Sequence, residues 1–257
     1  MDNEDNKRRA EQVIAGLNAT LGRRLVQTAG RLAQAPPVVS TTFPPLDAVL
    51  GIGGIPRGQL TEIVGNPTSG MVTLALKILT TIQQGGEQVV YLDLAATFNP
   101  DYAVRCGLNL DTLWVVRPTP YALTWAILYD LVLDGGVGGI ILHVPLEAFR
   151  QPDFLTQARQ TFSRLQTALR RSSCVLLGLT PLHEPGHDLR ACYPSGYVLL
   201  QLAAIRLWIQ KEKWLYQHRD IKGYQSRVTV AKNKLAQAGQ TAVIAVTFNG
   251  TVEGDGP

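Results

Sequence analysis

Gly65-Asn66-Pro67-Thr68-Ser69-Gly70-Met71-Val72-Thr73 is the stretch on which the fold turns. It lies between Leu60–Val64, a short apolar β-rich run, and Met71–Gln84, a helical run closed by Gly85-Gly86. Strand, glycine-bounded loop and helix in this order form a phosphate cradle, because loop amides and a helix N-terminus face the anion. The full pattern is G-x-x-x-x-G-K-[ST]. Gly65 and Gly70 have the required spacing, but Met71 fills the lysine position and Val72 the position of the Mg²⁺-binding hydroxyl.

Working outward, strands and helices alternate. Gln88–Leu92, Leu113–Val116, Ile140–Val144 and Cys174–Leu179 read as strands; Pro100–Cys106, Tyr121–Leu133 and Phe154–Arg171 read as helices. Repeated strand–helix units predict an α/β fold with a mostly parallel sheet flanked by helices. The strands are continuous apolar runs, as expected when both faces are covered. Beyond residue 198, Val198–Ile209, Trp214–Gln217, Ser226–Ala231 and Thr241–Phe248 read as strands joined by polar turns, an antiparallel extension of the same sheet. Upstream, residues 5–22 carry Ala10, Val13, Ile14, Leu17 and Leu21 at helical spacing, with Asp5 or Asn6 as the cap. Pro36-Pro37 and Pro44-Pro45 suggest a stiff linker. The expected organisation is a tethered helix (1–34), a Pro-rich linker (35–45) and a core domain (46–257).

Composition narrows the function classes. Of 257 residues, 46% are hydrophobic, enough for a sizeable core, which excludes global disorder. A net charge of +4 is compatible with nucleic acid without demanding it. Three scattered cysteines, Cys106, Cys174 and Cys192, argue for reduced thiols in a cytoplasmic protein. No apolar run reaches the roughly 18 residues of a membrane span.

The loop and its surroundings resemble the RecA/RadA recombinase core. Gly53-Gly54-Ile55-Pro56-Arg57-Gly58 is similar to that family's turn into the phosphate loop, and Asp93–Tyr102 to the segment bearing its catalytic glutamate and an adenine-stacking tyrosine. Val228–Leu235 resembles a conserved recombinase strand, and Asn6–Ala10 the polymerisation helix that packs on the adjacent protomer. The resemblance implies a RecA-like fold over nearly the whole chain. It makes Tyr102 part of the nucleotide site, and Val13, Ile14, Leu17, Lys232 and Lys234 inter-subunit candidates.

The departures carry the functional reading. Ala95 stands at the position resembling the catalytic glutamate, and His143 at that of the Walker B aspartate. An alanine cannot polarise water. Each charge-assisted contact is worth roughly 1.5–3 kcal/mol, so losing three removes on the order of 5–9 kcal/mol, as much as a micromolar site holds. No catalytic residue and no cofactor are expected; ATP with Mg²⁺ would enter only if the degenerate loop still binds it. This set of losses is similar to the ImuA group of RecA-like proteins, accessory factors of bacterial translesion synthesis.

Two further stretches bear on binding. His183-Glu184-Pro185-Gly186-His187 matches H-E-x-x-H, but Pro185 and Gly186 break the helix a zinc site needs, so no metal is expected. The surrounding loop carries Arg190, Ser195 and Gly196, which the resemblance makes candidates for single-stranded DNA. Between 206 and 234, eight cations face two acids and interleave with Trp208, Trp214, Tyr216 and Tyr224. Lys211, Lys213, Arg219, Lys222 and Arg227 are therefore candidate phosphate contacts, with the aromatics as stacking platforms. Alternatively this is a solvated face with cross-strand aromatic pairs.

The leading expectation is a non-hydrolysing RecA-like protein of the bacterial DNA-damage (SOS) response, nucleoid-associated in the cytoplasm. It would bind single-stranded DNA, a recombinase or a translesion polymerase, and self-associate through its N-terminal helix. The alternatives are a DNA-dependent ATPase with an atypical loop, and an interaction scaffold that binds no DNA.

Overall fold

The computed structural model describes residues 3–20, 36–182, 199–248 and 252–255. The chain divides into two units, Met1–Ala35 and Pro36–Pro257. In the first, helix α1 (Asn3–Thr20) begins ahead of the expected cap, placing Glu4 and Asp5 in its first turn. There the two acids complement the positive end of the helix dipole. Val13 and Leu17 are exposed on α1.

The second unit runs β1 (Val38–Val39), α2 (Pro44–Val49), β2 (Ile55–Pro56), β3 (Leu60–Gly65), α3 (Met71–Gln84), β4 (Gln88–Asp93), α4 (Pro100–Arg105) and β5 (Leu113–Val116). It continues through α5 (Thr124–Asp134), β6 (Val137–His143), α6 (Pro152–Arg171), β7 (Val175–Pro181), α7 (Leu199–Leu202), β8 (Ile205–Gln217), β9 (Asp220–Asn233), β10 (Thr241–Phe248) and β11 (Val252–Asp255). Nine strands form one sheet in the order β11-β10-β9-β8-β3-β7-β6-β4-β5. From β8 to β5 every pairing is parallel; β9, β10 and β11 add on antiparallel. The expected mixed α/β architecture is therefore present.

Alternation along β3 builds the two cores. Ile63 faces a cluster with Leu74 and Ile78 of α3. Leu60 and Val64 face the opposite cluster, with Leu128 of α5 and Phe154 and Leu165 of α6. Glu62, on that second face and fully buried, is held by Arg206 Nε at 2.5 Å and by Thr180 Oγ1, which donates at 3.0 Å. These contacts tie β3 to both its neighbours, since Glu62 sits opposite Arg206 on β8 while Thr180, two residues beyond its register partner Gly178, reaches it from β7.

Three sequence expectations need correction. Residues 36–45, read as a stiff Pro-rich linker, lie within the core unit: β1 pairs with β2, and Phe43 is fully buried. The prolines begin α2 at positions where a missing N–H costs nothing. Next, Val198–Ile209 and Trp214–Gln217 are not separate strands: α7 comes first, and β8 then runs unbroken through Lys211-Glu212-Lys213. Glu212 sits at a bulge between Lys211 and Lys213, where the ladder to β9 shifts register and then resumes, and its carboxylate accepts from Arg227 Nε at 2.5 Å. Finally, β6 starts at Val137, before the apolar run, because Gly139 lies under Ile82 and Leu79 of α3, where a Cβ would collide.

Candidate functional site

The loop after β3 delivers the chain into α3 at Gly70, whose φ of +93° is open to glycine but strained for other residues. Tyr224 of β9 packs directly on this glycine: a Cβ there would lie 2.8 Å from the phenol oxygen. Ser226, two residues along the same strand, donates to the Ser69 carbonyl at 2.7 Å, while the Ser69 amide donates to Asn66 O at 2.9 Å. The Ser69 amide is thus committed within the loop. Asn66, Pro67 and Thr68 are exposed, whereas Gly65, Ser69 and Gly70 are buried.

Behind the loop Met71 is 1% exposed, part of the core, and Val72 packs against the same cluster. Thr73 is the polar hub. Its Oγ1 lies 2.5 Å from the Tyr102 hydroxyl and 2.9 Å from that of Tyr224, so three hydroxyls meet at the first turn of α3. Burial pushes both phenols above their usual range, so they remain protonated donors. Burial likewise lifts the neighbouring Cys106 thiol to about 11, which removes it as a nucleophile at neutral pH.

A cavity of about 630 Å³ opens beside the loop at the carboxyl ends of the parallel strands. This is where open α/β sheets place ligands. Among the described residues, no Lys, Arg, Asp or Glu lines it. Ala95 and His143, the two positions that resemble recombinase carboxylates, both face it. His143 Nδ1 lies 2.9 Å from the Tyr91 hydroxyl, and burial lowers the imidazole pKa, with Asp93 opposing, so it stays neutral at pH 7. Asp93 is itself fully buried and engaged: Arg117 Nε at 3.1 Å and the amides of Thr97 and Phe98 at 3.0 and 3.1 Å satisfy its oxygens. It is not free to act as a general base.

The basic candidates form a second locus. Strands β8 and β9 pair as a long hairpin ribbon turning at His218-Arg219, with Trp214 opposite Tyr224 and Tyr216 opposite Ile221, and β10 flanks β9 from Gly223 to Thr229. Trp214 is 40% and Tyr216 63% exposed. Lys211 Nζ stands 3.9 Å over the Trp214 ring, Arg227 pairs with Glu212, and Lys222 lies 4.0 Å from Asp220. Lys213 and Arg219 are exposed. Lys232 and Lys234 sit apart from the cavity, at the β3 end that receives Arg206: Lys232 is opposite Arg206, and Lys234 Nζ donates to Gln201 O at 3.2 Å. Burial, with Lys234 and Arg206 nearby, lowers the Lys232 pKa to about 8. Arg190, Ser195 and Gly196, and the H-E-x-x-H stretch, lie outside the described residues.

Sequence reading underrated Tyr224, taken there only as a ribbon aromatic. The period-2 alternation Tyr224, Ser226, Val228, Val230 was a usable signal, since it puts Tyr224 on the face that packs against the loop. Phe248, 5.7 Å from the Tyr224 ring, gave no comparable sign.

A parallel sheet with a glycine-bounded loop entering a helix defines a phosphate-loop class of α/β protein. The model of the RecA N-terminal domain matches residues 9–148, and the chain belongs to the RecA family. Protein RecA of Bacillus licheniformis is 27% identical over 226 residues, covering 82% of this chain and 65% of the relative. Protein RecA of Rickettsia massiliae (strain Mtu5) is 27% identical over 278 residues, covering all of this chain and 79% of its own. The chain thus spans 65% of the length of the Bacillus relative. The crystal structure of the RadB recombinase superposes with a TM-score of 0.64 at 19% identity, over 82% of this chain and 96% of that one, a likeness of fold. Among the described residues no helix is long and apolar enough to cross a membrane.

Proposed function

We propose that this RecA-family protein acts in DNA repair without hydrolysing ATP, binding single-stranded DNA along the β8–β9 ribbon. The observation that carries this reading is the uncharged cavity beside the loop, where Met71 is buried and Tyr224 is seated on Gly70. A triphosphate there would be desolvated with neither lysine nor metal to compensate it. Phosphoryl transfer rests on such charge, and Ala95 and a neutral His143 supply none.

The ribbon supports the DNA half of the reading. It offers cations beside exposed aromatic faces, the pairing that holds a flexible strand through phosphates and stacked bases. Lys213 and Arg219 are exposed near its turn, and Lys211 already holds Trp214 by a cation–π contact. A recombinase or translesion polymerase is the partner class this role calls for, with α1, Lys232 and Lys234 serving self-association.

Fluorescence anisotropy of labelled single-stranded DNA, run over a salt series without nucleotide, tests this. Five engaged cations give a log–log salt slope of about −3.5. Replacing Lys211, Lys213, Arg219, Lys222 and Arg227 by alanine removes most of the signal and flattens the slope. Binding that requires Mg-ATP refutes the nucleotide-independent mode, and absent binding favours a scaffold.

A further inference from the structure

The cavity is too well made to be read only as a ruined triphosphate site. Its volume of about 630 Å³ lies within the range of small-molecule sites, about 300–1,000 Å³. Its walls are aromatic: Tyr91, Phe98, Tyr102, Tyr224 and Phe248 all line it. Tyr91 and Phe98 hold each other with ring centroids 5.0 Å apart, and Tyr224 and Phe248 at 5.7 Å, so two pairs of rings are locked in place. Tyr91 and Tyr224 are buried behind the wall, while Phe98, Tyr102 and Phe248 keep ring surface exposed, which favours a flat, aromatic ligand that offers them a face.

The polar groups are few and of both kinds. The hydroxyls of Tyr102 and Tyr224 both meet Thr73 Oγ1, and the two phenol oxygens keep a lone pair able to accept from a ligand N–H or O–H. On His143, Nδ1 lies 2.9 Å from the Tyr91 hydroxyl and 3.3 Å from that of Thr97, and burial keeps the ring neutral, so its Nε2 is a donor in one tautomer and an acceptor in the other. Acceptors near α3 and an imidazole near β6 that serves in either sense suit a heteroaromatic edge bearing both functions. Among the described residues no formal charge lines the cavity, so an anionic ligand is disfavoured there by its own desolvation.

We infer that the cavity binds a neutral, planar heteroaromatic molecule of the nucleoside class, in preference to its phosphorylated forms. The inference rests on the reading above that the loop no longer grips phosphate. It reverses the selectivity of a phosphate cradle: ring stacking and edge hydrogen bonds supply the affinity, and each added phosphate subtracts from it.

Calorimetric titration of the full chain with adenosine, guanosine, cytidine and thymidine tests this, with each 5′-monophosphate as the charged counterpart. At least one nucleoside saturates below millimolar concentration, and its monophosphate binds at least tenfold more weakly. Phe248→Ala, at a half-exposed position and with an unchanged urea midpoint as the control for folding, weakens the nucleoside at least tenfold. Ala95→Arg, which places a cation at the cavity wall, shifts the preference at least fivefold toward the monophosphate. The inference is overturned if no nucleoside saturates, if the monophosphate binds as well as the nucleoside, or if Phe248→Ala leaves affinity unchanged. Tight binding of Mg-ATP to the parent chain overturns the proposed function itself. Failure of every ligand, with nucleotide-independent DNA binding intact, sinks only the present inference.

Discussion

Restoring the missing lysine should damage this protein and leave it without ATP. Met71 is 1% exposed and packs in the α3 face of the core, so Met71→Lys exchanges a thioether for an ammonium. Losing the buried apolar side chain costs about 1.5–3 kcal/mol. Fully burying a lysine lowers its pKa by up to about 3–5 units, which at pH 7 costs about 4–5 kcal/mol, because a lysine shifted below 7 releases its proton and the cost stops growing. The cavity beside Met71 lets the lysine stem reach toward water, which reduces both costs, so we expect a net loss of about 2–4 kcal/mol. Urea denaturation at pH 7 reads this as a lower midpoint at unchanged slope. The folded-state pKa is depressed, so the unfolded chain binds more protons and raising the pH from 7 to 10 narrows the gap to the parent. Mg-ATP should not rescue the variant, because the hydroxyl and carboxylates that would complete the site are still replaced by Val72, Ala95 and His143. A variant as stable as the parent, or one whose midpoint climbs with Mg-ATP, refutes the claim that this position has been absorbed into the core.

Glu62→Gln removes the buried carboxylate that Arg206 Nε meets and should cost about 3–5 kcal/mol, read by the same denaturation; a loss under about 1 kcal/mol means the pair does not tie the sheet together. Lys232, with its pKa lowered to about 8 in the folded state, binds fewer protons there than in the unfolded chain, so it adds stability as the pH rises from about 8 to 10.5. That share of the rise should vanish in Lys232→Gln, and superimposable parent and variant pH–stability curves would contradict the shift. Deleting residues 1–24 should abolish self-association in sedimentation velocity, since α1 leaves Val13 and Leu17 exposed; unchanged sedimentation removes the docking role. Trp214→Ala should weaken single-stranded DNA by about 1–3 kcal/mol with little change in salt slope, because it deletes a stacking face and no phosphate contact.

The alternating core was legible because its strands are continuous apolar runs set apart by glycine and proline. Leu113–Val116 matches its expected bounds, and Met71–Gln84 follows from apolar spacing and a Gly-Gly stop. The ribbon was not legible in the same way. Lys211-Glu212-Lys213 has the polarity of a turn, yet β8 absorbs it as a bulge opposite Ser226 and Gln225 and the ladder resumes beyond it. Residues 36–45 misled through their prolines, which here start a helix, while the burial of Phe43 depends on a tertiary neighbour. At the site, Met71, Val72, Ala95 and His143 were visible as departures from a pattern. What replaces the lost charges was not visible, because Tyr224 comes to Gly70 from 154 positions downstream, through sheet order alone.

The measurement closest to the central claim is equilibrium titration of the full chain with ATP and Mg²⁺, paired with phosphate release in the presence of single-stranded DNA. The expected result is no saturable binding at tens of micromolar and no turnover above a protein-free control. Saturable micromolar binding, or DNA-stimulated phosphate release that survives repurification, would contradict it.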